Sequence, residues 1–543
     1  MYVKRLIEFA EEHPDLFPPI GFQRKKIDWI VDIDGDQLTF NNAERIEMTV
    51  PTIARSGSGV NPILFVDKPD YVFGWSPTGQ EKERSVARHK AYMQLLEEFV
   101  TETDDRDARA LLKALNQPIP YPDKMKNGDF VVFRIDDERY LHESKTVQSF
   151  WSRRVQPEPD SKSFVTHCSF CGEEAPVMER HSINFVVNRE RTKMISANKN
   201  AYESHNLKNS LISPTCYVCE QKYGQALEYF LQNEPNANHG EHVFSVGDLT
   251  YVYWLRGNST DANIVTAMSF LHEANLNEIK DQYLQVFKGR QEKANFNNFC
   301  LLILSANKGR LVVRGFLEES MGVIQERIIK FLEAQEIGRG RLYNLYTLAG
   351  AIYQKPSTQL KRIDVQDWFN WAFRSTPLPG RILVAMLKRV QAEGTMYPTH
   401  AAVLKSWLVS QNEGREWTVK TDKTNTAPAY ALGRVFAVLE KIQGEATGSK
   451  DTLSSRYFGS ASTVPRAITG MLIKNAQYHL VKISSNNKGR AINLDKRLSK
   501  LLNTIEELPS SLNLSQQAEF ALGYYHEKED LWTKREEIEC TTN

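Results

Sequence analysis

The chain has 543 residues, is 41% hydrophobic and 25% charged, and carries a formal net charge of only +1. It is long enough for three or four subdomains, and its balance is that of a globular protein, so any contact with a polyanion has to be local. Its longest apolar run, NFCLLILSA, is far too short to cross a bilayer, and six cysteines over this length exclude a disulfide scaffold, which makes a reducing cytoplasm the expected compartment, with no membrane partner.

The first segment, MYVKRLIEFAEEHP, alternates charged and apolar residues without a signal-peptide core and predicts a short amphipathic helix packed on the first domain. Between residues 23 and 50, KIDWIVDI and QLTF alternate about the turn Asp34-Gly35-Asp36 and predict a hairpin. The series Asp32, Asp34, Asp36 invites a calcium reading, but its glycine stands at the fourth loop position instead of the sixth, and no glutamate closes the loop. A helical pattern covers Glu83 to Leu115, and FVVFRID near residue 130 reads as a buried strand. Farther on, FCLLILSANKGRLVVRGF reads as strand, turn, strand; residues 318 to 410 are predicted helical, with loops around KPSTQL and RSTPLPG.

The last stretch contains PAYALGRVFAVLEKIQ, SSRYFGSASTVPRAITGMLIKNAQYHLVKI and LPSSLNLSQQAEFALGYYHEKEDLW. Leu432, Val435, Phe436, Leu439 and Ile442 share one helical face, as do Leu472, Ala476, Leu480 and Ile483. With short Gly, Ser and Pro breaks between runs, the tract predicts a bundle of about four helices. Arg466, Lys474, Lys482, Lys488, Arg490, Lys496, Arg497 and Lys500 stand there against the lone Asp495, which suits a polyanion contact, although charge alone favours a solvated helix face beside Glu506 and Glu507. The fold class is therefore α+β: a mixed N-terminal domain (1–155), a zinc-knuckle region (156–235), a central α+β domain (236–420) and an all-α C-terminal four-helix bundle (421–543).

Cys168-Ser169-Phe170-Cys171 and Cys216-Tyr217-Val218-Cys219 are two CxxC pairs in one region. A two-residue gap lets both thiolates of a knuckle reach one ion, and two knuckles complete a tetrahedral shell for structural zinc. Gly172 suits the tight turn after the first pair, although the spacer of roughly 44 residues exceeds the usual ribbon gap. Buried reduced cysteines and redox chemistry are the alternatives. The interval also holds His181, Asn184, Asn198, Asn200, His205 and Asn206, so an HNH-type nuclease with His181 or His205 in a catalytic role is the second functional reading. The text around His181, ERHSINF, lacks the paired histidines such a site needs. With no phosphate loop, GxSxG elbow or HExxH motif, the chain does not read as an enzyme.

Arg55-Ser56-Gly57-Ser58-Gly59, followed by Asn61, is a glycine-rich segment that lets backbone approach DNA closely while Ser and Asn supply short hydrogen-bonding groups; a flexible surface turn is the other reading. Arg55 can grip phosphate, and Lys25 and Lys26 lie on a neighbouring element of the hairpin.

These segments carry a resemblance. PPIGFQRKKIDWIVDIDGDQL, MTVP with SGSGVNP after it, DYVFGW, VARHKAYMQLL, NAYESHNLKNSLISP, LILSANKGRLVVRGF, PLPGRILVAMLKR and the C-terminal runs follow the order found in the Csd family. The chain thus resembles, over essentially its whole length, the large subunit of the type I-C CRISPR surveillance complex (Cascade). The resemblance implies a non-catalytic, RNA-guided DNA-binding subunit for antiviral defense, which reads the protospacer-adjacent motif (PAM) in double-stranded DNA and promotes R-loop formation. The implied partners are the other subunits of the complex, the guide RNA, the target duplex with its displaced single strand, and a helicase-nuclease. Ser58 and Gly59 fall where the family places a short polar residue and a glycine, so Arg55 through Asn61 are expected at the motif. The C-terminal bundle resembles a small subunit, and Lys474, Lys482, Lys488 and Arg490 are expected to track single-stranded DNA. A separate small subunit from the same reading frame is also implied, with Met396 or a start near Val419 as candidates. The family's segment matching SPTCYVCEQKYGQAL usually lacks a cysteine pair, so Cys216 and Cys219 are a departure.

Overall fold

The alternation around Asp34-Gly35-Asp36 folds as a long antiparallel hairpin, β1 (Phe22–Asp34) and β2 (Gln37–Pro51), with Asp34 opposite Gln37 and Gly35 at φ +59°. The structure is a computed structural model; it describes the chain except residues 54, 56–58, 76–81, 120–121, 123, 137, 158–163, 198, 233–241, 247, 258–297, 339, 412–413, 449–451 and 541–543. The chain divides into two compact units, one of Met1–Tyr253 with Leu301–Phe316, the other of Trp254–Cys300 with Leu317–Asn543.

In the first unit, α1 (Tyr2–Glu12) is the expected amphipathic helix and buries Val3, Leu6, Ile7, Phe9 and Ala10. The first sheet runs β2-β1-β4-β3, with β3 (Val66–Asp67), β4 (Val131–Ile135) and a short β5 (Arg139–Tyr140) on β4. β1 buries every second residue, Ile27, Trp29, Val31 and Ile33, as a one-sided strand must. Helices α2 (Pro69–Val72), α3 (Lys82–Thr103), α4 (Arg106–Leu115) and α5 (Lys145–Arg154) supply Tyr71, Tyr92, Leu96, Phe99, Leu111 and Trp151 to the same core. Asp32 is not a calcium ligand: it receives a two-pronged ion pair from Arg134 (2.6 and 2.9 Å) and a bond from Asn41.

After α5 come two small hairpins, β6 (Val165–His167) with β7 (Glu174–Pro176) and β8 (Phe185–Val187) with β9 (Glu190–Thr192), then α6 (Tyr217–Gln232). Phe9 of α1 packs on Phe230 of α6 at 4.7 Å between ring centres. A second sheet has the order β10 (Val243–Val246), β11 (Leu249–Leu255), β12 (Asn298–Asn307), β13 (Arg310–Ser320). The last two form the strand–turn–strand unit the sequence predicts, turning through Lys308 and Gly309, both at positive φ.

The second unit continues with α7 (Met321–Gln335), α8 (Leu345–Gly350), α9 (Pro356–Gln359), α10 (Arg362–Arg374), α11 (Gly380–Glu393) and α12 (Pro398–Ser410). The loop expected at KPSTQL contains the single turn α9, started by Pro356 at its first position. From Pro428 the structure departs from the expected four-helix bundle: five helices form among the described residues. They are α13 (Pro428–Thr447), α14 (Leu453–Thr463), α15 (Pro465–Asn486), α16 (Lys488–Leu502) and α17 (Leu514–Cys540). Pro465 separates α14 from α15, because it begins a helix readily and cannot continue one. The two faces expected to be apolar are buried throughout.

α13 and α17 approach each other through one repeated tripeptide, Ala431-Leu432-Gly433 and Ala521-Leu522-Gly523. A Cβ on Gly433 would overlap the carbonyl of Phe520, and one on Gly523 would overlap the carbonyl of Tyr430. Only hydrogen at both positions lets these backbones touch.

Candidate metal centre and nucleic-acid interface

The two CxxC pairs meet. Cys168 directly follows β6, and the turn after it closes with Gly172 N–H donating to the Cys168 carbonyl (3.0 Å), Gly172 standing at φ +80°. Cys216 precedes α6 and Cys219 lies in its first turn. Ser169 N–H donates to the Pro214 carbonyl (2.8 Å) and Met178 N–H to the Thr215 carbonyl (3.0 Å), which fixes one knuckle against the other. All four Sγ atoms lie within 4.8 Å of one another, three on buried residues and Cys171 on an exposed one. Tetrahedral zinc with bonds of about 2.3 Å spaces its sulfurs by about 3.8 Å, and Cys171 and Cys216 stand 3.8 Å apart. The backbone N–H of Cys216 also points at Cys168 Sγ (3.4 Å), a donor that favours thiolate. Within the cluster, hydrogen bonds from Cys216 and Cys219 hold the Cys168 thiol well below its usual range, and the shared hydrogen bond with Cys168 pushes Cys216 up to about 11. Four such thiols can hold one metal ion, and a full thiolate shell leaves it no open position.

The histidines of the interval are placed differently. His181 is 1% exposed, and its Nδ1 shares a 2.5 Å hydrogen bond with Tyr223 Oη. Burial, reinforced by the Lys193 ammonium, lowers its pKa to about 4, so the ring is neutral at pH 7. Its backbone is pinned as well, with N–H donating to Ser210 Oγ (3.2 Å) and the carbonyl accepting from Lys193. Next in the chain, the buried Glu220 carboxylate accepts from Ser182 and Ile183, and Ile183 fills the place a Cβ on Gly224 would take. His181 thus sits in a bonded core. His205 is exposed with Asn206 at the tip of a turn, both at positive φ, and Asn198 lies outside the described residues.

At the N-terminal sheet, the glycine-rich segment joins β2 to β3. Arg55 Nε donates to the Asn61 carbonyl (2.8 Å), which closes the segment at its base. The guanidinium also pairs with buried Asp67 and lies 4.1 Å from the centre of the Tyr71 ring. Asp67 accepts in addition from the N–H groups of Ile63 (2.8 Å) and Lys68 (2.7 Å); burial raises its pKa while Arg55 opposes the rise. Arg55 is therefore engaged inside the fold. Ser56, Gly57 and Ser58 lie outside the described residues; Gly59 is exposed and Asn61 half-buried.

Lys25 and Lys68 share the Phe130 ring, their ammonium groups 4.0 and 5.7 Å from its centre. Burial, with Arg55 next, lowers the pKa of Lys25 to about 8. Lys26, one residue on, is exposed. The sequence reading missed Lys68, which the structure places just after β3.

In the C-terminal helices, Lys474, Lys482 and Lys488 are exposed, whereas Arg490 pairs with Glu445 (2.6 Å), Arg466 with Glu507 (2.7 Å) and Arg497 with Glu527 and Asp530. Met471, Tyr478 and Val481 are 43, 67 and 72% exposed on α15, at helical spacing with Lys474 and Lys482. This apolar set also escaped the sequence reading, which followed only the core face. Among the described residues, no helix is long and apolar enough to cross a membrane.

A family model described as CRISPR-associated protein (Cas_Csd1) matches residues 2–532. No curated protein matches the chain.

Proposed function

The chain belongs to the Cas_Csd1 family of CRISPR-associated proteins, and we propose that it is the non-catalytic large subunit of a type I-C RNA-guided surveillance complex in the cytoplasm. In this reading it recognises the protospacer-adjacent motif in duplex DNA, promotes R-loop formation and recruits a helicase-nuclease. The guide RNA, held with the other subunits of the complex, supplies sequence specificity by base pairing.

The observation that carries the motif role is the pair of cations, Lys25 and Lys68, that shares the Phe130 ring beside Arg55 and the segment it closes. Lysines on a rigid sheet neutralise phosphates and fix the duplex, while the glycine-rich segment is free of bulky side chains where a groove approaches. The four cysteines act as a zinc staple that joins the start of α6 to the β6–β7 hairpin. The α15 face, with Tyr478 between Lys474 and Lys482, is built for single-stranded DNA, with a ring for bases and ammonium groups for phosphates. Nothing about His181 favours the nuclease reading, since its ring is buried and bonded. The test is motif-dependent binding by the assembled complex: Lys25→Ala with Lys68→Ala lowers affinity for a motif-bearing duplex, while complex assembly is retained. Unchanged affinity in that double variant removes the sheet face from the account.

A further inference from the structure

A pocket of about 560 Å³ lies in the first unit, beside the first cysteine knuckle, and the motif reading does not use it. Phe170, between Cys168 and Cys171, forms part of its wall, with Tyr2, Ile212, Val312, Tyr202 and Arg310 among the rest. Two features set its chemistry. Among the described residues, its lining contains cations, Lys193 and Arg310, and no carboxylate. The Arg310 guanidinium lies over the Tyr202 ring, 3.5 Å from its centre, and donates to Tyr202 Oη at 2.7 Å.

This pair is held from below. Lys193 and Arg310 form a parallel bridge in which Leu311 N–H donates to the Lys193 carbonyl (2.9 Å) and Lys193 N–H to the Gly309 carbonyl (3.2 Å). The β12–β13 turn is thereby fixed to the end of β9, which sets Arg310 against Tyr202. Lys193 spends its ammonium on the His181 carbonyl, so Arg310 carries the charge that a ligand in the pocket would meet. Exposed Lys308 and Arg191 stand next to the bridge in the chain and in space.

We propose that this pocket receives a base of a single-stranded nucleic acid, stacked on the Arg310–Tyr202 pair, with adjoining phosphates met by Lys308 and Arg191. Unstacked bases are bound on aromatic rings and guanidinium planes, and a carboxylate-free wall tolerates the attached phosphates. The volume falls in the range that encloses a small organic group. The proposal rests on reading the chain as a nucleic-acid-binding subunit, but on none of the residues assigned to the motif.

The probes are 5-iodouracil-bearing hexamers, one RNA and one DNA, photo-crosslinked to the full chain at low salt and mapped by mass spectrometry. Labelling is expected at Tyr202 or Phe170, and Arg310→Ala or Tyr202→Ala should weaken hexamer binding about ten-fold or more. Tyr202→Phe keeps the ring and should stay close to the parent, which separates stacking from a folding defect. The stronger hexamer tells whether guide RNA or the displaced DNA strand is the source. Labelling confined to other segments, or unchanged binding in both alanine variants, overturns the proposal. Motif-duplex binding should persist in Arg310→Ala; its absence in the parent protein, with hexamer labelling intact, would instead count against the motif reading.

Discussion

Arg55 shows how a residue chosen for one role can be committed to another. Its guanidinium closes the segment base and neutralises Asp67, which is fully buried. Arg55→Ala is therefore expected to destabilise the first unit by roughly 3–5 kcal/mol, since it strands a buried carboxylate. Thermal unfolding would check this, and a Tm equal to the parent's would show that the pair contributes nothing. Lys25 offers a cleaner reading of DNA contact. Its pKa of about 8 lies below the usual lysine value, so its charge is lost as pH rises through 8. Affinity for motif-bearing duplex should fall between pH 7 and 9, and Lys25→Arg, charged throughout, should flatten that profile. At the knuckles, zinc should be found at about one ion per chain, and Cys168→Ser should lower both metal content and Tm; a metal-free parent with the same Tm would remove the staple. The cysteine pairs were legible because their geometry is local in sequence. The Arg55–Asp67 and Arg490–Glu445 pairs were not, because charge counting along a chain cannot tell which cations the fold neutralises.

Among the elements, the helix pair α13 and α17 gives the sharpest contrast. Gly433→Ala or Gly523→Ala puts a methyl into a partner backbone carbonyl and should cost about 1–3 kcal/mol or more. Gly470→Ala, in α15 with no atom of the described residues near its Cβ position, should leave stability equal or raise it by about 0.5–1 kcal/mol. Chemical denaturation of the three variants separates these outcomes; equal effects would refute the close approach. The faces of these helices were readable from their 3.6-residue period, and the N-terminal hairpin from its period of two. The helix count was not, because a proline inside an apolar run can break a helix or begin one, and Pro465 begins α15. On α15 itself, Lys474→Glu with Lys482→Glu should weaken single-stranded DNA binding by the complex. It should also make log affinity fall less steeply with log salt, by about 0.7 for each phosphate no longer neutralised.

At the scale of the whole molecule, a chain with net charge +1 still carries local groups of cations: Lys25 with Lys68, Arg310 at its pocket and the lysines of α15. Local groups of this kind are able to meet phosphates, and net charge gives no hint of them. The order of the segments carries the family assignment, which the match over residues 2–532 bears out. Pairing across the fold was beyond reach of the sequence, as with Arg310 and Tyr202, which stand 108 residues apart. The central claim is that this subunit recognises its DNA target without cutting it. It is tested most directly with the assembled complex and guide RNA, without the helicase-nuclease, on an end-labelled matched duplex with Mg²⁺ or Mn²⁺. Stable, motif-dependent binding with both strands intact is the predicted result. Strand cleavage that disappears in His181→Ala or His205→Ala, or binding indifferent to the motif, would contradict it.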